Sequence, residues 1–206
     1  MERMNIIYEN REMEGERLEL TDKEGIYFLG PNLTLRRCTV ILRVPARWLH
    51  ILPARFIDCS IEMKQELKKH DWVKASLKGC RFKGRLSGCD FGHWPHYAKG
   101  WEHGAIEDCD FTEARLNDCR FHGCDTRTLR FPRWPCFTIL DPIRNSRELA
   151  RVEWPGDIGS VTLGILPKQP LSTVAMTFFA PALARESGTT PEAIKTVIEK
   201  FDCIVY

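Results

Sequence analysis

The residues best suited to chemistry lie in one 12-residue segment, residues 92–103. Its histidines and large aromatic residues are His93, Trp94, His96, Tyr97, Trp101 and His103. His93 and His96 have a spacing that can ligate a metal, with Asp90 or Glu102 as a further ligand. Neither a helical His spacing nor an H-E-x-x-H pattern accompanies them. We therefore predict no metal site and no cofactor.

The same composition is typical of a protein-binding hot spot, where tryptophan and tyrosine supply rigid contact area. We predict a partner-binding surface formed by Trp94, His96, Tyr97, Trp101 and His103. The alternative is a segment folded against the rest of the protein, with its aromatic side chains half-buried.

Catalytic residues are not indicated elsewhere. Cys89 and His93 could pair as nucleophile and base, but we expect Cys89 to point into the core, where a thiolate is disfavoured. The carboxylates between residues 108 and 125 fit solvated outward positions. No G-x-S-x-G motif, phosphate-binding glycine loop or kinase signature is found. We expect a protein that is not an enzyme.

Nine cysteines are a high count for 206 residues. The first 20 residues are charged throughout and lack the apolar core of a signal peptide. Because the number is odd and the one close pair is Cys119 and Cys124, buried reduced thiols fit better than disulfides or zinc ligands. The steps from Cys38 to Cys59 and from Cys59 to Cys80 are both 21 residues.

The neighbours of these cysteines repeat as well. The pattern apolar-x-x-Cys-x-apolar surrounds Cys38, Cys59, Cys80, Cys89, Cys109 and Cys119. Alternation at the cysteine is typical of a short strand, and a period of 20–21 residues returns the chain to the same face once per turn. The sequence therefore predicts a β-helix in which equivalent residues form vertical ladders. These ladders are Leu33/Ala54/Ala75, Leu35/Phe56/Leu77, Cys38/Cys59/Cys80 and Val40/Ile61/Phe82.

Between Ile106 and Phe131 the period shortens to five residues. The pieces Cys109-Asp-Phe111, Ala114-Arg-Leu116 and Cys119-Arg-Phe121 resemble the pentapeptide-repeat family, whose consensus is roughly A(D/N)LXX. The resemblance covers about residues 30–131, with interruptions at 41–53, 62–74 and 92–103. It implies a right-handed, four-sided β-helix. Family members that protect DNA topoisomerases are strongly acidic rods, usually dimers, and others bind partners or act as immunity modules.

We predict a mainly β fold with three parts: an N-terminal cap (1–30), the β-helix solenoid (31–133) and a small α-helical or mixed C-terminal segment (134–206) for capping or dimerisation. In the last part we predict a helix at 144–152, a strand at 161–166 and a helix at 172–186 kinked near Pro181. A further helix begins at Thr190 and Pro191. Its apolar stripe needs either the last turn of the solenoid or a second subunit as its partner. The stripe consists of Ile194, Val197, Ile198 and Phe201.

Charge separates the two ends of the predicted rod. Residues 36–85 hold 13 basic and 4 acidic residues, whereas residues 86–133 hold 6 basic and 8 acidic residues. Clustered on one side, the bases of 36–85 could contact phosphates, but a net charge of +2 for the chain is unlike a nucleic-acid binder. The longest apolar stretch has 11 residues, too short to span a membrane. We expect a cytoplasmic protein.

These features favour a non-catalytic protein-binding module. The narrower expectation is a bacterial immunity protein that binds and neutralises a cognate toxin, with a homodimer through the C-terminal helix as a further possibility. The alternative is a DNA-topoisomerase-protecting or other nucleic-acid-related factor. Salt separates the two, because phosphate-driven binding falls steeply between about 50 and 200 mM salt.

Overall fold

A computed structural model describes residues 3–22 and 24–206. The strands are β1 (Met4–Tyr8), β2 (Arg11–Glu14), β3 (Arg17–Leu20), β4 (Gly25–Leu29), β5 (Leu33–Arg36), β6 (Thr39–Leu42), β7 (Leu49–Ile51), β8 (Ala54–Ile57), β9 (Ser60–Met63), β10 (Leu67–Lys68), β11 (Ala75–Lys78), β12 (Arg81–Ser87), β13 (Asp90–Gly92), β14 (Ala105–Glu107), β15 (Asp110–Asn117), β16 (Cys119–His122), β17 (Cys136–Leu140), β18 (Thr173–Phe179) and β19 (Ile204–Val205). The helices are α1 (Pro142–Leu149), α2 (Ala180–Glu186) and α3 (Pro191–Ile198).

Stacked parallel strands make the chain a β-solenoid, as the repeat predicts. The first face holds β1, β4 and β7, the second holds β2, β5, β8, β11 and β14, and the third holds β3, β6, β9, β12 and β15. The fourth face is short. It consists of β10, the end of β12 and the end of β15, which pair in that order. Each turn therefore has four sides.

The predicted ladders are confirmed by the strand register. Leu33 pairs with Ala54 and Ala54 with Ala75, while Leu35, Phe56 and Leu77 follow in the same sheet. Val40, Ile61 and Phe82 align in the third face. All of these side chains are buried, so one continuous apolar column runs along the rod.

Seven of the nine cysteines form two columns at opposite corners. Each thiol of these columns donates to a main-chain carbonyl of the preceding turn, for example Cys59 to Leu35 O at 3.3 Å and Cys80 to Phe56 O at 3.3 Å. One column contains Cys38, Cys59, Cys80 and Cys109, and the other contains Cys89, Cys119 and Cys136. A thiol is small enough for these corners and satisfies a carbonyl there.

The N-terminal segment belongs to the same sheets. β1, β2 and β3 pair with β4, β5 and β6 in parallel register, so the solenoid extends to Met4. The described part of residues 1–30 thus contains the first turn of the rod and β4, the first strand of the second turn.

The C-terminal segment closes the other end with antiparallel strands. β18 pairs with β16 of the solenoid and with β17, and β19 pairs with β17. A second hydrophobic core lies under this sheet and is built from residues between 137 and 204.

Two sequence predictions for this segment were wrong. Residues 161–166 lie in π-helical (Ile158–Thr162) and 3-10 (Leu163–Lys168) turns rather than a strand. Residues 172–186 are not one kinked helix, because Thr173–Phe179 is a strand and Pro181 lies in the first turn of α2. An apolar run buried on both sides has no periodicity that separates a strand from a helix.

Helix α3 begins as predicted, with the Thr190 hydroxyl accepting from Ala193 N at 3.2 Å. Its stripe is buried against this chain's own second core, where Trp154 stacks on Phe201 at 6.0 Å. Neither the last turn of the solenoid nor a second subunit is needed to cover that stripe. Among the described residues, no helix is both long enough and apolar enough to cross a membrane.

Candidate functional site

The segment between β13 and β14 is a loop whose two ends touch, hereafter the 93–104 loop. Gly92 has φ +88°, and a Cβ there would collide with the carbonyl of His122. A Cβ at Gly104 would meet the carbonyl oxygens of Val73 and Gly92. The solenoid can therefore admit the loop without opening its turn, because glycine at both ends lets the backbones approach closely.

Trp94 lies at the centre of an aromatic stack. Its ring stacks on Tyr97 with centroids 3.9 Å apart and on His122 with centroids 4.3 Å apart. The guanidinium of Arg120 lies 5.0 Å from the same ring, and Tyr97 donates its hydroxyl to Asp71 Oδ2 at 3.0 Å. One half of the loop is thus fixed to the rod through Trp94 and Tyr97.

Trp101 orders the other half through contacts within the loop. Its ring lies 4.9 Å from those of both His93 and His96, and His93 Nδ1 is 3.2 Å from Gly104 O. The neighbouring Gly100 packs on Pro53 and Lys74, residues of earlier turns. The loop therefore lies along the corner between the first and second faces.

The five residues predicted to bind a partner divide into two groups. Trp94 and Trp101 are half-buried and hold the loop, whereas His96, Tyr97 and His103 are exposed. Tyr97 is 43% exposed and still takes part in the stack with Trp94. The folded-down arrangement that the sequence left open is the one observed. The loop nevertheless presents a fixed group of exposed polar and aromatic side chains.

A buried charge network lies beneath the loop. Asp90 is 4% exposed and accepts from Arg120 Nε at 2.7 Å and Arg120 Nη2 at 2.9 Å. Asp90 Oδ1 is also 3.0 Å from Nε2 of the fully buried His122, whose Nδ1 lies 3.1 Å from Ser172 Oγ. Arg120 further donates to Gln169 Oε1 at 3.3 Å. The network joins the solenoid to the segment that leads into β18.

The order Asp90, His122, Ser172 resembles the groups that activate a serine nucleophile. Here the carboxylate of Asp90 is already paired in two hydrogen bonds with Arg120, so a charge forming on His122 would gain little from it. The adjoining cavity of about 400 Å³ is lined by Asp71, Asp90, Asp118, Arg120 and Gln169 among others, but not by His122 or Ser172. We interpret the network as a structural link between the solenoid and the segment that leads into β18.

Burial changes the ionisation of the groups around this cavity. Desolvation raises the pKa of Asp71, with the Tyr97 hydroxyl hydrogen bond opposing it. Desolvation likewise raises the pKa of Asp118. For Arg120, burial would lower the pKa, but the hydrogen bond to Asp90 and its charge outweigh burial, and the pKa is raised. Burial thus disfavours the charged forms of Asp71 and Asp118, so the cavity wall resists further negative charge.

The bases of 36–85 do not form a single stripe. Seven of the 13 make ion pairs with carboxylates, including Arg36 with Glu12 and Lys78 with Glu107. They lie on the second, third and fourth faces, since Lys78 belongs to β11, Lys83 to β12 and Lys68 to β10. The bases of 36–85 are thus dispersed over several faces of the rod.

Sequence reasoning missed the buried network. Asp90 and Arg120 occupy equivalent positions in two copies of the repeat, Cys89-Asp-Phe91 and Cys119-Arg-Phe121, and they pair in register. Opposite charges at equivalent positions of two repeats could have predicted that Asp90 and Arg120 pair. Their burial was not foreseeable, because it depends on the loop and on Ser172, which lies 50 residues beyond His122.

No protein-family model matches the chain, and no curated protein matches its sequence. One solved structure that it is similar to is that of QnrB1, a plasmid-mediated fluoroquinolone resistance protein. The identity is 14%, the match covers 63% of this chain and 89% of that chain, and the TM-score is 0.15. So low a score carries no argument about function. The description of the chain as a β-solenoid depends on its own strand pairing.

Proposed function

We propose that this protein is a non-catalytic binding module that recognises a protein partner with the exposed side of the 93–104 loop. The supporting observation is the fixation of the loop by the two tryptophans. A surface held in one conformation before binding loses little entropy when a partner docks. The exposed side chains are His96, Tyr97 and His103.

Within this proposal, the partner is a toxin that the protein neutralises by covering its active site. A rigid rod that carries charge unevenly along its length would steer a charged partner and cover a broad surface. The sequence supports the uneven charge, with 13 bases and 4 acids in 36–85. This narrower form fails if the partner has no harmful activity, even when binding through the loop is real.

The test removes the exposed side chains of the loop and leaves both tryptophans in place. A triple variant, His96→Ala, Tyr97→Ala and His103→Ala, should retain the wild-type circular dichroism. Its melting temperature should fall only slightly, because Tyr97 also contacts Trp94 and Asp71 but Trp94 still stacks on His122. We expect it to lose capture of the partner from nuclease-treated lysate of the source organism. A matched control changes Glu62, Lys83 and Glu113 to alanine, three outward residues of the third face that lie away from the loop, and should retain capture.

Each outcome of the capture experiment separates two explanations. A stoichiometric protein that the triple variant no longer retains supports the proposal, and its toxicity when expressed alone tests the immunity role. Retention of the same protein by the triple variant would reject the loop as the binding site. Recovery of topoisomerase subunits, with binding that falls steeply at about 200 mM salt, would favour the nucleic-acid-related alternative.

A further inference from the structure

The two ends of the solenoid are finished differently, and the first turn is open. β1, β2 and β3 are each the terminal strand of their sheet among the described residues. Inward side chains of this turn are also incompletely covered, since Ile6, Tyr8 and Met13 are only half-buried. Their neighbours in the next turn, Tyr27, Leu29 and Leu35, are 0–3% exposed. An exposed edge with apolar side chains behind it is a template for pairing with another strand.

We propose that this first turn is an interface through which two copies of the chain associate head to head. Strand β3 on the third face and strand β1 on the first face would form the contact. The proposal is independent of the 93–104 loop, which lies on later turns.

Strand β3 presents alternating charges to the open edge. Thr39 N donates to Glu16 O at 2.8 Å and Arg43 N donates to Leu20 O at 3.0 Å, so the carbonyls of residues 16 and 20 point to the second turn. Main-chain groups of alternate residues point to opposite sides of a strand. The main-chain groups of Arg17 and Glu19 therefore point to the open edge. Their side chains, 61% and 36% exposed, form an ion pair with each other at 2.6 Å, and Glu19 Oε2 also lies 3.9 Å from Arg43 Nε.

A two-fold axis through Leu18 uses these groups in a self-complementary way. Antiparallel pairing of β3 with its copy places Arg17 opposite Glu19 of the second copy, and the reverse contact follows by symmetry. Both are then hydrogen-bonded pairs of an antiparallel ladder, which require the N–H and C=O groups that the first turn leaves at its edge. Opposite charges directly across such a ladder are stabilising.

The same two-fold axis also passes through the first face, opposite the third, where β1 lies. Gly30 N donates to Tyr8 O at 2.8 Å, so the main-chain groups of Tyr8 point inward along the rod and those of Asn5 and Ile7 point to the open edge. β1 then pairs with its own copy around Ile6, and no charged side chain is brought against a like charge there. Ile7 is 46% exposed in one copy.

Association of this kind ends at two copies. At the other end of the rod, β18 pairs with β16 and the second core packs beside it, so that end has a different surface from the first turn. A contact between identical surfaces closes on itself instead of forming a fibre.

The test is a charge reversal across the proposed axis. We expect sedimentation equilibrium to give a mass about twice the 23.9 kDa of one chain. Arg17→Glu or Glu19→Arg alone places like charges opposite each other and should raise the dimer dissociation constant about tenfold or more. The double variant, Arg17→Glu with Glu19→Arg, restores opposite charges and should recover most of the affinity.

A matched control lies two turns further along the same face. Glu62→Arg breaks an exposed ion pair with Lys64 on β9, an inner strand, and should leave the dissociation constant unchanged. Ile7→Pro removes an edge-facing N–H on the other strand and should weaken the dimer with little change in melting temperature. A wild-type chain that stays monomeric at about 100 μM, or a dimer indifferent to both single reversals, would overturn the proposal. Either result leaves partner capture by the loop unaffected.

Discussion

The closed and open ends of the solenoid bury equivalent side chains to different extents. At the closed end, Phe121 is 0% exposed and its ring lies 5.2–5.3 Å from those of Phe91, Phe111 and Phe131. At the open end, Tyr8 occupies an inward position and remains half-buried. A repeat unit is stable only through its neighbours, so the energy of one side chain depends on its place in the stack.

The largest difference should come from truncating one aromatic residue at each end. Phe121→Ala is expected to cost about 3–5 kcal/mol, because it leaves a cavity in a fully packed column. Tyr8→Ala should cost about 1 kcal/mol, because half of the side chain is already in water. Denaturant unfolding at low protein concentration measures both, and similar costs would show that the open end is covered.

Breaking the charge network beneath the loop is expected to have the next largest effect. Asp90→Ala leaves Arg120 and His122 without their shared acceptor and should cost about 2–3 kcal/mol. Hydrogen exchange should then quicken in β18, which the network joins to the solenoid. The control Arg127→Ala breaks an exposed pair with Asp125, keeps the main-chain N–H that Asp125 caps, and should leave unfolding unchanged. Equal exchange in β18 for wild type and Asp90→Ala would contradict the role of the network as a structural link.

His70 should make the middle of the rod sensitive to acid. Burial lowers its pKa from 6.5 to about 4, and its Nε2 has no hydrogen-bond partner. The unfolded chain therefore binds the proton first, and this stability contribution, complete above about pH 6.5, is lost as pH falls toward 4. Between about pH 7.5 and 5 the loss should be about 2 kcal/mol. The free energy of unfolding of His70→Leu should lack this pH-dependent loss over the same range. Identical pH profiles for the variant and the wild type would show that His70 is not its source.

The last prediction concerns the reactivity of the cysteines and involves the smallest change in stability. It should distinguish the buried cysteines from the half-buried ones. Seven cysteines are buried, and Cys124 and Cys203 are half-buried. Neighbouring Cys109 and burial raise the pKa of Cys80 to about 12, and burial raises that of Cys124 to about 12. With an aromatic disulfide reagent, the native protein should show at most two slowly reacting thiols, and the unfolded chain nine. Rapid reaction of a third would indicate that a column opens.

The solenoid was predictable because its signal is repeated. Each copy of the Cys38, Cys59 and Cys80 environment fixes the register of the next, so ladder partners 21 residues apart could be named from spacing alone. The C-terminal closure has no repeat, and β18 was wrongly predicted as a helix because both of its sides are buried. For the candidate site, the sequence located the loop. It could not show that Trp94 and Trp101 fasten the loop while Tyr97 faces solvent, since that division depends on residues far along the chain.

The contact between Gly92 and Gly104 allows the loop to change independently of the rod. Because the loop leaves and rejoins the turn at one point, its length and sequence can vary without disturbing the ladders on either side. Deleting residues 94–102 should therefore keep the ladders, but it would uncover His122 and Arg120, which Trp94 contacts. Substitution of the outward side chains of the loop should disturb the rod less than deletion of the whole loop.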